Sequence, residues 1–195
     1  MKLLSVCGFL ASGKTTLILE VAKRLQPVFK KMVIIENEIG QIGIDDKYLR
    51  RNGLEVQELF GGCICCTLAN NLLTTLEKVE ESFHPDLTIL EATGVARPQD
   101  LSASVSRYSA VVKDSQVLTL VDGVRCEMLM KVVEPLITAQ IEAADIIAIT
   151  KIDVMKAEEI SAVEERVRTL NSVSRIVPIS ADKDINLEQL IGELS

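Results

Sequence analysis

Short, continuously apolar runs alternate with longer segments of helical spacing from one end of the chain to the other. The runs predict strands over residues 3–7, 32–35, 54–59, 87–90, 117–121, 146–150 and 176–179. Unbroken apolar runs of this length suit parallel strands that helices cover on both faces. The 54–59 run differs, because Glu55, Gln57 and Glu58 interrupt it, which suits an edge strand. Helical spacing predicts helices over 15–25, 67–82, 99–108, 136–144, 157–170 and 187–194. Pro98, Pro135 and Asn186 stand near helix starts, where those residue types fit best. Such regular alternation predicts an α/β fold in three layers, a mostly parallel sheet with helices on both faces. No internal repeat or low-complexity linker divides residues 1–195, which read as a single domain.

Composition narrows the function classes. The 195 residues are 48% hydrophobic and 25% charged, an ordinary globular balance. With 21 basic against 28 acidic residues the net charge is −7, so neither nucleic acid nor an anionic membrane is an expected partner. The longest stretch without charge, 59–76, is broken by Gly61, Gly62, Asn70 and Asn71, unlike a membrane span. The apolar stretch before Cys7 is too short for a leader segment. Five cysteines, three of them crowded into 63–66, do not form a disulfide framework. A soluble, cytoplasmic protein is expected.

The first strand runs into Gly8-Phe9-Leu10-Ala11-Ser12-Gly13-Lys14-Thr15-Thr16, the P-loop pattern in its required place between a strand and a helix. Gly8 and Gly13 let backbone N–H groups wrap phosphate oxygens, with Ala11, Ser12 and Thr16 completing the cradle. The following helix aims its positive end at the same anion. Lys14 is placed to reach the β- and γ-phosphates, and the Thr15 hydroxyl to ligate Mg²⁺. After the sixth strand, Thr150-Lys151-Ile152-Asp153 matches the guanine-reading pattern. The Asp153 carboxylate can accept from guanine N1–H and the exocyclic amine together, a pair adenine does not offer. The Lys151 stem can lie along the base, and Ser180-Ala181 suits a backbone contact to the guanine oxygen. GTP and GDP are therefore the expected nucleotides. At the end of the fourth strand, Glu91 is expected near Mg²⁺ or its waters. Gly94 is expected to offer its N–H to the γ-phosphate in a loop that senses hydrolysis.

Gly61-Gly62-Cys63-Ile64-Cys65-Cys66 carries the second chemistry. Cys63, Cys65 and Cys66 are soft ligands close enough to share one ion, Zn²⁺, Cu(I) or Co²⁺. Three protein ligands leave a fourth position for water, a carboxylate or a client group. Apolar packing and a redox relay are the other uses of three neighbouring thiols. Isolated Cys7 and Cys126 read as small buried hydrophobes, and His84 as a turn residue.

Together these motifs resemble the GTPase domain of the CobW family, related to the UreG and HypB metallochaperone GTPases. The resemblance rests on the 8–16 loop, Glu36-Asn37-Glu38-Ile39-Gly40, the 61–66 loop, Glu91-x-Thr93-Gly94-x-Ala96-x-Pro98, Gln140-Ile141-x-x-Ala144-Asp145 and the 150–153 motif, in that order. It implies a slowly hydrolysing GTPase that binds a transition metal and delivers it to a client metalloenzyme or cofactor-assembly protein, corrinoid pathways included. Zn²⁺ is the first expectation, with Co²⁺ or Ni²⁺ as alternatives. By carry-over, Cys63, Cys65 and Cys66 would ligate the metal, with Glu36 either a further ligand or an exposed acid at the end of strand two. Asp45 would be the switch acid facing the nucleotide, and Arg97, beside the switch, would be either a cation for γ-phosphate chemistry or a plain surface arginine. Lys14, Asp45, Glu91 and Gly94 would then serve hydrolysis, and a nucleotide-dependent homodimer is the expected assembly.

Three departures stand out: relatives commonly continue into a carboxyl-terminal domain, often carry a histidine-rich segment, and often have an acid where this chain has Gln41. Two other functions are compatible with a P-loop, a small-molecule kinase and a regulatory module whose partner affinity follows nucleotide and metal. The first has no use for Cys63–Cys66 or Asp153, and delivery of metal to an apo-client separates the second.

Overall fold

The computed structural model describes residues 1–36, 54–58, 68–108 and 110–194. In chain order the elements are β1 (Lys2–Gly8), α1 (Lys14–Leu25), β2 (Met32–Glu36), β3 (Leu54–Glu58), α2 (Leu68–Phe83), β4 (Leu87–Glu91), α3 (Pro98–Tyr108) and β5 (Asp114–Asp122). There follow α4 (Cys126–Val132), α5 (Glu134–Glu142), β6 (Ile146–Thr150), a 3₁₀ turn (Ile152–Val154), α6 (Ala157–Leu170), β7 (Arg175–Pro178) and α7 (Leu187–Leu194). The strands form one sheet in the order β3-β2-β4-β1-β5-β6-β7. Every pairing between them is parallel.

Alternating side chains divide the strands between two cores, as the period of two requires. On one face Leu4, Val6, Leu118 and Leu120 pack against Leu17, Ile18, Val21 and Leu25 of α1 and Leu187, Leu190 and Leu194 of α7. On the other, Val121, Ile147 and Ile149 lie under Ile137 and Ile141 of α5 and Val163 and Val167 of α6. Leu3, Val33, Ile35 and Leu90 continue that face under Leu72, Leu76 and Val79 of α2. Each such side chain contributes roughly 1.5–3 kcal/mol when fully buried. The expected three layers are the observed ones.

Helix α1 shows why these segments are helical. Its buried residues recur at 17, 18, 21, 22 and 25, one stripe of a 3.6-residue period. Glu20 turns outward, accepting from Lys23 at 2.7 Å and Arg24 at 2.6 Å. Both cations lie in the last turn, where they also favour the negative helix end.

The edge position of β3 agrees with its interrupted pattern, since β2 is its single neighbour in the sheet. Most element ends fall within a residue or so of expectation, and three larger differences stand out. β5 begins at exposed Asp114 rather than at 117, because pairing to β1 starts at Lys2 and extends the ladder into polar residues. The helix expected over 136–144 runs over Glu134–Glu142, with Pro135 in its first turn. Helix α4 was not expected at all: its Met128 and Val132, four apart, face solvent, as Val124 does just before it, so polarity does not mark its outer side. Among the described residues no helix is long and apolar enough to cross a membrane.

Candidate nucleotide site

Every chemistry-bearing motif within the described residues lies at the carboxyl ends of the parallel strands, where open α/β sheets bind ligands. β1 delivers Gly8 into the loop. A Cβ there would sit 2.6 Å from the Leu120 carbonyl oxygen and 2.8 Å from Ser12 Oγ, and φ is +141°. No other residue fits. Gly13 precedes α1 with φ +93° and open space around it, so its demand is the left-handed torsion alone. Ala11 adopts φ +57° without being glycine. The Ser12 N–H closes the turn on the Phe9 carbonyl at 3.2 Å. Lys14 is buried, and its ammonium donates to the carbonyls of Gly8 at 3.1 Å and Phe9 at 3.3 Å.

Across the loop, the Thr15 hydroxyl donates to the Glu91 carboxylate at 2.9 and 3.2 Å. A hydroxyl and a carboxylate at this spacing are hard oxygen donors, which fits Mg²⁺ as the ion they would hold. Glu36 ends β2 directly beside Glu91 in the ladder and is half-buried. Gly94 is buried against the P-loop. An added Cβ would lie 2.7 Å from Leu10 Cδ2 and 2.8 Å from the Leu10 nitrogen. Space, rather than a left-handed torsion, requires glycine at this position. Arg97 is exposed.

The guanine-pattern residues grip the same loop. Thr150 Oγ1 donates to the Ser12 carbonyl at 3.0 Å and lies 3.4 Å from the Val121 carbonyl. Lys151, at φ +66°, donates from Nζ to the Ala11 carbonyl at 3.0 Å and to Asp122 Oδ2 at 2.7 Å. Asp153 is exposed in the 3₁₀ turn that follows. Ser180 is buried: its N–H pairs with the Ile185 carbonyl at 3.2 Å, and its Oγ accepts from the Lys183 N–H at the same distance. Ala181 is partly exposed beside it, and Thr16 is exposed on α1.

Three residues given no role in the sequence expectations complete the arrangement. Asp122, its side chain fully buried at the end of β5, accepts from Lys151 and from Arg125 Nε at 2.7 Å, and from the Arg125 N–H at 3.1 Å. Burial alone would raise its carboxyl. The hydrogen bonds from Lys151 and Arg125 outweigh that and hold it below the ordinary carboxylate range. Buried Gln140 on α5 donates from Nε2 to the carbonyls of Gly94 at 3.2 Å and Ala96 at 3.0 Å, tying the 91–98 segment to the helix layer. The signal for Asp122 was the one used for Glu91, a carboxylate closing an apolar strand beside β1. Gln140 lay within a motif already singled out, without a role.

Asp45, Cys63, Cys65 and Cys66 lie outside the described residues. Cys7 and Cys126 are buried, as expected. Burial pushes the Cys7 thiol up to about 12 against the lowering pull of Lys14, and burial raises Cys126 as well.

Comparison with known proteins bears on the family and the fold. The family model described as CobW/HypB/UreG, nucleotide-binding domain, matches residues 2–178. A zinc chaperone CobW from Sinorhizobium sp is 32% identical over 86% of this chain and 55% of its own length. The zinc chaperone YjiA of Escherichia coli (strain K12) is 29% identical over 92% of this chain and 58% of its own. The chain thus spans about half the length of the curated relatives it matches. The crystal structure of the hydrogenase maturation factor HypB from Archaeoglobus fulgidus superposes with a TM-score of 0.73 at 20% identity, covering 100% of this chain and 88% of that one. That likeness bears on the fold.

Proposed function

The chain belongs to the CobW/HypB/UreG family of nucleotide-binding domains, and from that premise we propose that it is a cytoplasmic, GTP-hydrolysing metallochaperone domain whose metal affinity follows its nucleotide state. One observation carries the nucleotide half: a single P-loop is held from one side by the guanine-pattern residues Thr150 and Lys151, while its Thr15 meets Glu91 on the other. The guanine-pattern residues and the P-loop are thereby hydrogen-bonded to each other. Asp153 would read the guanine edge, with Ser180 and Ala181 beside it, and Lys14 would leave its two carbonyls for the β- and γ-phosphates.

Thr15 and Glu91 would hold Mg²⁺, which when bound would supply positive charge beside the phosphates. Gly94, packed on Leu10 and held through its carbonyl by Gln140, would contribute its N–H to the γ-phosphate. Asp45 would approach from the first switch. Catalysis by positioning and charge stabilisation, without a dedicated base, gives slow turnover. The cargo metal, Zn²⁺ before Co²⁺ or Ni²⁺, would be held by Cys63, Cys65 and Cys66 with Glu36 as a further ligand. Glu36 and Glu91 are neighbours in the ladder, which supports a route between the nucleotide side and the metal side through adjacent strand ends. The names of the relatives, zinc chaperones, support the cargo class. A client metalloenzyme or cofactor-assembly protein would receive the metal, and a homodimer would form across the nucleotide face.

The deciding experiment is a Co²⁺ titration followed by absorbance, with GDP or a non-hydrolysable GTP analogue bound. Thiolate–cobalt bands should appear, vanish in the Cys63/Cys65/Cys66→Ser triple variant, and shift in midpoint between nucleotides. A coupling of about 1–3 kcal/mol would move the midpoint 5- to 150-fold. Bands indifferent to nucleotide would leave a metal site without gating. Absence of bands in both states would overturn the metallochaperone reading.

A further inference from the structure

Three consecutive P-loop carbonyls each accept from a side chain outside the loop: Leu10 from Arg125 Nη2 at 2.7 Å, Ala11 from Lys151 at 3.0 Å and Ser12 from Thr150 at 3.0 Å. Two of the three donors, Arg125 and Lys151, are themselves anchored on Asp122. We propose that Asp122 and Arg125 are a positioning pair that sets the Leu10–Ala11 peptide, so that the Ala11 N–H faces the phosphates of a bound guanine nucleotide. The proposal rests on the nucleotide reading above and names residues that the motifs did not.

Peptide geometry carries the argument. Across a planar trans peptide the C=O and N–H point in opposite directions. The Leu10 carbonyl points out of the loop to Arg125, so the Ala11 N–H on the same plane points inward. Ala11 is held at φ +57°, a conformation unfavourable for a residue with a Cβ, so its peptide relaxes unless something opposes it. A flip of that plane would aim a carbonyl at an anion. Arg125 opposes the flip with a guanidinium fixed at two points, its Nε on Asp122 and its Nη2 on the Leu10 carbonyl. Its side chain is 32% exposed while that of Asp122 is fully buried, so the carboxylate is the fixed end and the arginine the adjustable one. Water could satisfy the Leu10 carbonyl equally well, which makes orientation, not folding, the quantity at stake. Asp122 also anchors Lys151, so one carboxylate serves both the phosphate limb and the base motif.

The test compares wild type, Arg125→Met, Arg125→Lys and Asp122→Asn for GDP affinity, using a fluorescent GDP displaced by GDP or IDP. The Ala11 amide resonance is followed in the same samples during titration with GDP. Arg125→Met should weaken GDP about 10-fold, the loss expected for one misaligned donor to a charged group. It should leave the preference for GDP over IDP unchanged and shrink the GDP-induced shift at the Ala11 amide. Arg125→Lys should recover part of both effects. Asp122→Asn should weaken GDP at least as much and also erode the base preference, because Lys151 is released. Unchanged GDP affinity in Arg125→Met, or a loss with the Ala11 shift intact, would overturn the proposal while the nucleotide reading stands. A wild-type protein that binds no guanine nucleotide would overturn that reading, and the proposal with it.

Discussion

At Gly94 the distance between two backbones decides what side chain the position tolerates. A methyl group there would press on the Leu10 nitrogen and side chain at 2.7–2.8 Å, well inside normal contact. We expect Gly94→Ala to move the 91–98 segment off the P-loop, at a cost of about 1–3 kcal/mol. GTP hydrolysis should fall much further than GDP affinity, which single-turnover assays beside GDP titrations would check. Equal losses in both would place Gly94 in general nucleotide binding instead. The glycine was singled out in the sequence by its spacing after Glu91. Its physical reason was not, because Leu10 lies 84 positions earlier in the chain. Arg125 was missed for the same cause, being adjacent to nothing suggestive in sequence. Asp122 closes an apolar strand as Glu91 does, but its partners Arg125 and Lys151 come together only where β5 and β6 end beside the loop.

Between elements, Asn171, just past α6, is hydrogen-bonded through both ends of its amide. Its amide donates to the carbonyls of Ile141 at 2.8 Å and Ala144 at 3.1 Å, closing the carboxyl end of α5. Its Oδ1 accepts from the N–H groups of Val173 and Ser174. Asn171→Ala would strand buried carbonyls and N–H groups at once, so a loss of about 1–3 kcal/mol is expected. For a chain of this size that is a Tm lower by roughly 2–12 °C, measurable by calorimetry. Because α5 carries Gln140, the loss should be accompanied by weaker holding of the 91–98 segment. The long apolar strands and the helices around them were readable because each buries one consistent pattern. α4 was not, since its apolar residues lie on both sides, and neither was the polar start of β5, which exists only through pairing with β1.

Across the whole molecule, the nucleotide site draws on β1, β4, β5 and β6, the centre of the sheet, rather than on a peripheral loop. A ligand there ties both helix layers to one point. Binding to the folded form alone stabilises it by about 2.7 kcal/mol at 100 times Kd. Saturating GDP with Mg²⁺ should therefore raise Tm by several degrees in thermal denaturation. Chelating Mg²⁺ should remove part of that rise, because the Thr15–Glu91 pair then faces phosphate without the cation between them. No rise with GDP, beside a rise with ADP, would shift the reading toward a kinase. The fold class and the strand order's edge were legible at this scale. The way Glu36 and Glu91 become neighbours was not, since β2 and β4 pair across the intervening β3 and α2.

The two sealed thiols have a practical consequence. Cys7 sits at the end of β1 with its thiol pushed up to about 12, and Cys126 is likewise held protonated at neutral pH. Neither thiol can present itself to a soft ion or an alkylating reagent while the fold is intact. Any sulfur signal from the native protein would then have to come from the other three of its five cysteines, at 63, 65 and 66. The protein carries its own blank: absorbance, labelling stoichiometry and mass shifts measured on it refer to one loop without subtraction.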